Sequence, residues 1–183
     1  MNQYVAFLRG INVSGYHKVP MIELREEMHK LNFKNVATIL NSGNVIFDSI
    51  NNDLKNLEKT ISEHLEKVFG FPVPTIIRQS EMIYRLLERN PFRDIVNTKD
   101  IRLYISFLRK DIQTELDFPW TNNDKSYTIL EKSNKEIISI LDLSIAKTPK
   151  GMEALERYFG KDITTRNWNT IKRIEKKLRV DLN

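Results

Sequence analysis

The sequence predicts an α+β protein built from two ferredoxin-like (α/β plait) units in tandem, with a C-terminal amphipathic helix. Three observations predict it. The first 79 residues read as strand and helix segments in the order βαββαβ, the pattern of a split βαβ unit. The hexapeptide Tyr4-Val5-Ala6-Phe7-Leu8-Arg9 returns as Tyr104-Ile105-Ser106-Phe107-Leu108-Arg109, with four positions identical and two close. Each copy is followed by a connection, a hairpin and a helix, so the repeat extends beyond the six matched residues.

In chain order, Tyr4 to Arg9 is a short apolar run bounded by Gly10 and reads as a strand. Pro20 opens a helix, where its missing N–H costs nothing. Met21, Leu24, Met28 and Leu31 then recur at helical spacing. Val36 to Leu40 and Val45 to Phe47 are strands. Between them Asn41-Ser42-Gly43-Asn44 reads as a tight hairpin turn with Gly43 at positive φ. Asp53 caps a helix whose apolar stripe is Leu54, Leu57, Ile61, Leu65 and Val68, ended by Gly70 and Pro72. Val73 to Arg78 is a fourth strand, and Pro74 points to an edge or a strand start. A helix from Ser80 carries Met82, Ile83, Leu86 and Leu87 and stops at Asn90-Pro91.

These elements divide the chain into a first unit over 1–90, a linker over 91–99 and a second, diverged unit over 100–183. In the second unit, strands are expected at Tyr127–Glu131 and Glu136–Leu141 around a turn at Ser133-Asn134, then a helix from Met152 to Phe159. The last helix runs from about Asn167 to Leu178. Its stripe is Trp168, Ile171, Ile174 and Leu178.

Composition bounds the function. The 183 residues, 40% apolar and 29% charged, suit a globular chain with a sizeable core. No apolar run approaches the length of a membrane helix. Met1-Asn2-Gln3-Tyr4 lacks signal-peptide features, and there are no cysteines, so a cytoplasmic protein is expected. The absence of cysteine also excludes disulfides, thiolate metal sites and a cysteine nucleophile. The net charge is +5, and its surplus sits late: residues 161–183 hold seven basic and three acidic residues.

Chemistry-bearing motifs are few. His17, His29 and His64 have no metal-ligand spacing, and His29 and His64 are expected at the surface of helices. No GxSxG elbow, P-loop or dinucleotide fingerprint occurs. No cofactor, metal or reaction is therefore assigned. Three polar segments stand out at element ends. In the loop from Arg9 to Pro20, glycines at 10 and 15 let backbone N–H groups approach an anion, and Arg9 and Lys18 add charge. The second is the Asn41–Asn44 hairpin. The third is Thr164-Thr165-Arg166-Asn167-Trp168-Asn169-Thr170, at the start of the last helix, where capping explains the threonines and one asparagine but does not need Arg166 or Asn169.

Four segments, Tyr4–Val13, Lys18–Met21, Asn41–Phe47 and Thr164–Thr170, closely resemble the family called domain of unknown function 1697. The resemblance implies two ferredoxin-like units and no established activity, substrate or cofactor. The family usually carries Gly-Gly where this chain has Ser14-Gly15.

Three functional readings follow. The first is a polar pocket for a small phosphate-bearing ligand, formed by Arg9, Asn12, Ser14 and Lys18 with Asn41, Ser42 and Asn44, and completed by Arg166, Asn167 and Asn169. The second is a nucleic-acid-binding module on the basic helix, through Lys172, Arg173, Lys176 and Lys177. The third is an interaction protein whose polar segments only tie elements together. An open RNA-stacking sheet is disfavoured, because strands such as Tyr4–Leu8 lack apolar/polar alternation and are expected to be covered on both faces.

Overall fold

A computed structural model describes the chain apart from Ser14, Asn97, residues 181–183 and the side chain of Lys150. Among the described residues it is a mixed α+β structure with two antiparallel sheets and five helices. The chain divides into two compact units: Met1–Glu88 together with the helical residues from Lys172, and Arg89–Ile171.

The first unit contains β1 (Asn2–Leu8), α1 (Met21–Lys30), β2 (Lys34–Ile39), β3 (Asn44–Ser49), α2 (Leu54–Phe69), β4 (Thr75–Gln79) and α3 (Ser80–Arg89), whose last residue, Arg89, falls in the second unit. Its sheet runs β2-β3-β1-β4. β1 lies at the centre, with Tyr4 opposite Phe47 on one side and Gln79 on the other. Tyr4, Val5, Ala6, Phe7 and Leu8 are all buried, so both faces of β1 are covered as its unbroken apolar run predicts. Tyr4, Ala6, Leu8, Val45 and Phe47 form one core with Leu24, Met28, Leu57, Ile61 and Leu65 of the first two helices.

Local chemistry explains most boundaries. Asp53 accepts hydrogen bonds from the N–H groups of Lys55 and Asn56, which opens α2. Pro20 is the residue just before α1, with φ −64° and ψ 131°, one position outside the expected first turn. The β2–β3 connection also differs from expectation. Ile39 pairs with Asn44, so the loop is the four residues between them rather than a Ser-Gly turn, with both Leu40 (φ 58°) and Gly43 (φ 73°) left-handed.

The second unit holds β5 (Ile101–Leu108), β6 (Trp120–Thr121), β7 (Tyr127–Ser133), β8 (Glu136–Asp142), α4 (Thr148–Phe159), β9 (Ile163–Asn167) and the start of α5 (Trp168–Val180). Its sheet runs β6-β7-β8-β5-β9. β9 corrects the sequence reading. Thr164 and Thr165 are strand residues paired with Phe107 and Ser106, not helix caps. Branched side chains at Ile163, Thr164 and Thr165 favour the extended backbone. Tyr104, Tyr127, Ile129, Leu141, Leu155 and Phe159 build this unit's core. Trp168, Ile171, Ile174 and Leu178 are buried along one stripe of α5, as their spacing predicts.

A second correction concerns α1 and α2. His64 is half-buried rather than a surface residue, and its Nε2 lies 2.8 Å from Glu27 Oε2. Glu27 is itself buried and also holds the Lys30 ammonium at 2.5 Å. Lys30 foremost, and His64 with it, hold the Glu27 carboxyl below its ordinary value against the opposing effect of burial.

Candidate functional site

The first loop and the hairpin meet through one side chain. Asn12 has a left-handed backbone, with φ 53°. Its Nδ2 donates to the Val19 carbonyl at 3.0 Å and to the Asn41 carbonyl at 2.9 Å. Its Oδ1 accepts from the Val19 N–H at 2.8 Å. The Asn12 N–H donates to the His17 carbonyl at 3.0 Å, and the Tyr16 N–H to the Val13 carbonyl at 2.9 Å. The loop is thus folded back on itself and tied to the hairpin.

Backbone bonds bring a third segment to the same sheet end. The Leu8 N–H donates to the Gly43 carbonyl at 2.7 Å, and the Arg9 N–H to the Pro74 carbonyl at 2.9 Å. The His17 ring stacks on Phe71 at 4.3 Å, with its Nδ1 3.0 Å from the Gly10 carbonyl. Gly43 is required here, because a Cβ would stand 2.8 Å from both Leu8 Cβ and Ile11 Cδ1. Residues 8–19, 39–44 and 70–75 together contain no aspartate or glutamate, and they carry Arg9 and Lys18.

The expected site residues take different roles. Lys18, Asn41 and Ser42 are exposed, and Arg9 is half-buried. Asn44 is fully buried, and its Nδ2 donates to the Ile39 carbonyl at 2.9 Å and to Ser42 Oγ at 3.0 Å. Asn12 and Asn44 therefore brace the loops. Ser14 lies outside the described residues.

Arg166, Asn167 and Asn169 belong to the second unit. The Arg166 guanidinium is buried, and its Nη1 donates to Thr164 Oγ1 at 2.8 Å and the Thr165 carbonyl at 2.9 Å. Burial lowers its pKa to about 10. Asn167 caps α5, its Oδ1 accepting from the Asn169 N–H at 2.9 Å. Both asparagines border a polar recess of about 260 Å³ with Thr98 and Arg102. Arg102 stands in β5 with no motif around it, and its Nη1 donates to the Lys99 carbonyl at 2.7 Å and the Ile101 carbonyl at 3.1 Å. On α5, Lys172, Arg173 and Lys176 are exposed and Lys177 is half-buried.

Among the described residues, no group of three or more His, Asp or Glu side chains is placed to hold a metal ion, and no helix is long and apolar enough to cross a membrane.

The fold and this loop-and-hairpin end define a mixed α+β protein whose first sheet ends in loops that carry Arg9 and Lys18 and no acidic residue of their own. The chain belongs to the family described as protein of unknown function (DUF1697), which it matches over residues 1–129. The third motif, from Thr164, lies beyond the matched residues. The chain is similar to the conserved bacterial protein SP0830 from Streptococcus pneumoniae, at 26% identity and a TM-score of 0.68, over 97% of this chain and 98% of that one. No curated protein matches the chain.

Proposed function

We propose that the protein binds a small anionic, phosphate-bearing ligand where the Arg9–Pro20 loop meets the β2–β3 hairpin. The observation that carries this reading is electrostatic. Three segments joined by Asn12, Leu8 and Arg9 contribute cations and not one carboxylate. Backbone conformation supports it. Gly10, Asn12, Gly15 and His17 all have positive φ, which folds the loop tightly and keeps Arg9 and Lys18 on one short segment. Lys18 would contact the anion, Arg9 would add positive potential, and Ser42 would supply a hydroxyl.

Thermal unfolding with phosphate, sugar phosphates and nucleotides tests it. Saturation at a hundred times Kd adds about 2.7 kcal/mol, which moves the midpoint by several degrees. Lys18→Ala should remove most of that shift while the unliganded midpoint stays, and Arg9→Ala should reduce the shift further. A shift that survives both substitutions rejects the site. A response to long polynucleotides alone, lost with Lys172→Ala and Arg173→Ala, favours the α5 reading.

The two units are further proposed to be diverged copies of one ferredoxin-like unit. Support comes from register. β1 lies between β3 and β4 as β5 lies between β8 and β9, and Val5 faces Arg78 as Ile105 faces Arg166. The Leu8 to Gly43 and Arg9 to Pro74 bonds recur as Leu108 to Lys135 and Arg109 to Asp162. The Nη1 of Arg78 and of Arg166 each donates to the carbonyl of the preceding residue.

A further inference from the structure

The second unit has a recess of about 430 Å³ between α4 and the β6–β7 connection. Its chemistry is opposite to that of the Arg9–Pro20 loop. Leu155 and Phe159 of α4 are buried in the core. Residues one step away around the helix, Glu153, Ala154, Arg157 and Tyr158, therefore line one side, and Trp120 and the turn to Asp124 line the other. Trp120 and Tyr158 meet edge to face, with centroids 4.9 Å apart at 70°. Both rings are only half-buried. Ala154 leaves room that a larger side chain would fill.

Charge selects the occupant. Asp124 and Glu153 are exposed carboxylates on opposite walls. The one cation among these residues, Arg157, lies over the Tyr158 ring at 5.8 Å from its centroid. That distance is at the outer limit of a cation–π contact, and Arg157 itself is exposed. Aromatic faces combined with carboxylates recognise weakly hydrated organic cations, because the rings offer a negative quadrupole without the desolvation cost of a full ion pair. We propose that this recess binds a small alkylammonium group carried on a short apolar body, of the size and charge of choline.

The test titrates the full chain with choline and, in parallel, with its neutral isostere 3,3-dimethylbutan-1-ol. The indole N–H signals of the two tryptophans, Trp120 and Trp168, are followed by NMR. The expected result is a saturable shift of the Trp120 signal with choline while the Trp168 signal stays. The isostere should need about tenfold more ligand for the same effect. Asp124→Asn with Glu153→Gln should weaken choline by a similar factor, and Ala154→Leu should abolish the shift while the remaining spectrum stays folded. Equal binding of the isostere would mean that the recess is merely apolar and would overturn the proposal. So would a Trp120 signal that does not move at about 100 mM choline, far above any useful Kd.

Discussion

At the residue scale, position decides what a polar side chain is for. Asn12 uses both ends of its amide to fasten loop to hairpin, so Asn12→Ala should cost about 1–3 kcal/mol, the penalty for leaving its partners unpaired. Chemical denaturation reads that loss directly. Gly43 and Gly10 make a paired test, since both are left-handed but only Gly43 is crowded. Gly43→Ala should destabilise by about 2–4 kcal/mol from combined strain and overlap, and Gly10→Ala by about 1–2 kcal/mol from conformation alone. Glu27 gives a pH-dependent prediction. Its carboxyl titrates below the ordinary 4.5, so its contribution is fully present above that value and is lost as pH falls through the lowered native value. Thermal unfolding measured from neutral pH into the acid range should show this loss, and Glu27→Gln should flatten it.

At the element scale, apolar periodicity was a reliable guide and polar periodicity was not. The stripes of α2 and α5 are legible because burial repeats every three to four residues. β9 was not, because Thr-Thr-Arg-Asn just before a helix carries the same residues that cap helices, and only its pairing with β5 reveals a strand. Glu58 was illegible for a related reason. Acidic residues on helices are ordinarily solvated, yet this one is buried and its Oε1 accepts the Ile77 N–H at 2.9 Å. Ile77 lies on β4, an edge strand, so Glu58 satisfies a donor that would otherwise seek another chain. Glu58→Ala should speed amide exchange at Ile77 and raise the tendency to aggregate, with hydrogen exchange and light scattering as readouts.

At the scale of the whole molecule, one repeated hexapeptide suggests two units, and its first five residues lie on β1 and on β5, each with antiparallel neighbours on both sides. The meeting of the first loop with the hairpin was only partly legible. Glycines and asparagines marked both segments, whereas the contribution of residues 70–75 depends on backbone bonds that leave no signature in side chains. The division of α5 was hidden as well, since one continuous stripe serves Ile171 in the second unit and Ile174 and Leu178 in the first. Leu178→Ala should therefore cost about 2–5 kcal/mol, with exchange protection lost foremost in the first unit.

The central claim is that the basic loop-and-hairpin rim receives an anion. The most direct measurement is an NMR titration of backbone amides with inorganic phosphate and then with a mononucleotide. The account predicts saturable shifts concentrated in residues 9–19 and 41–44, reduced by Lys18→Ala. Shifts confined to α5 around Lys172, Arg173 and Lys176, or none in the rim at saturating ligand, would contradict it.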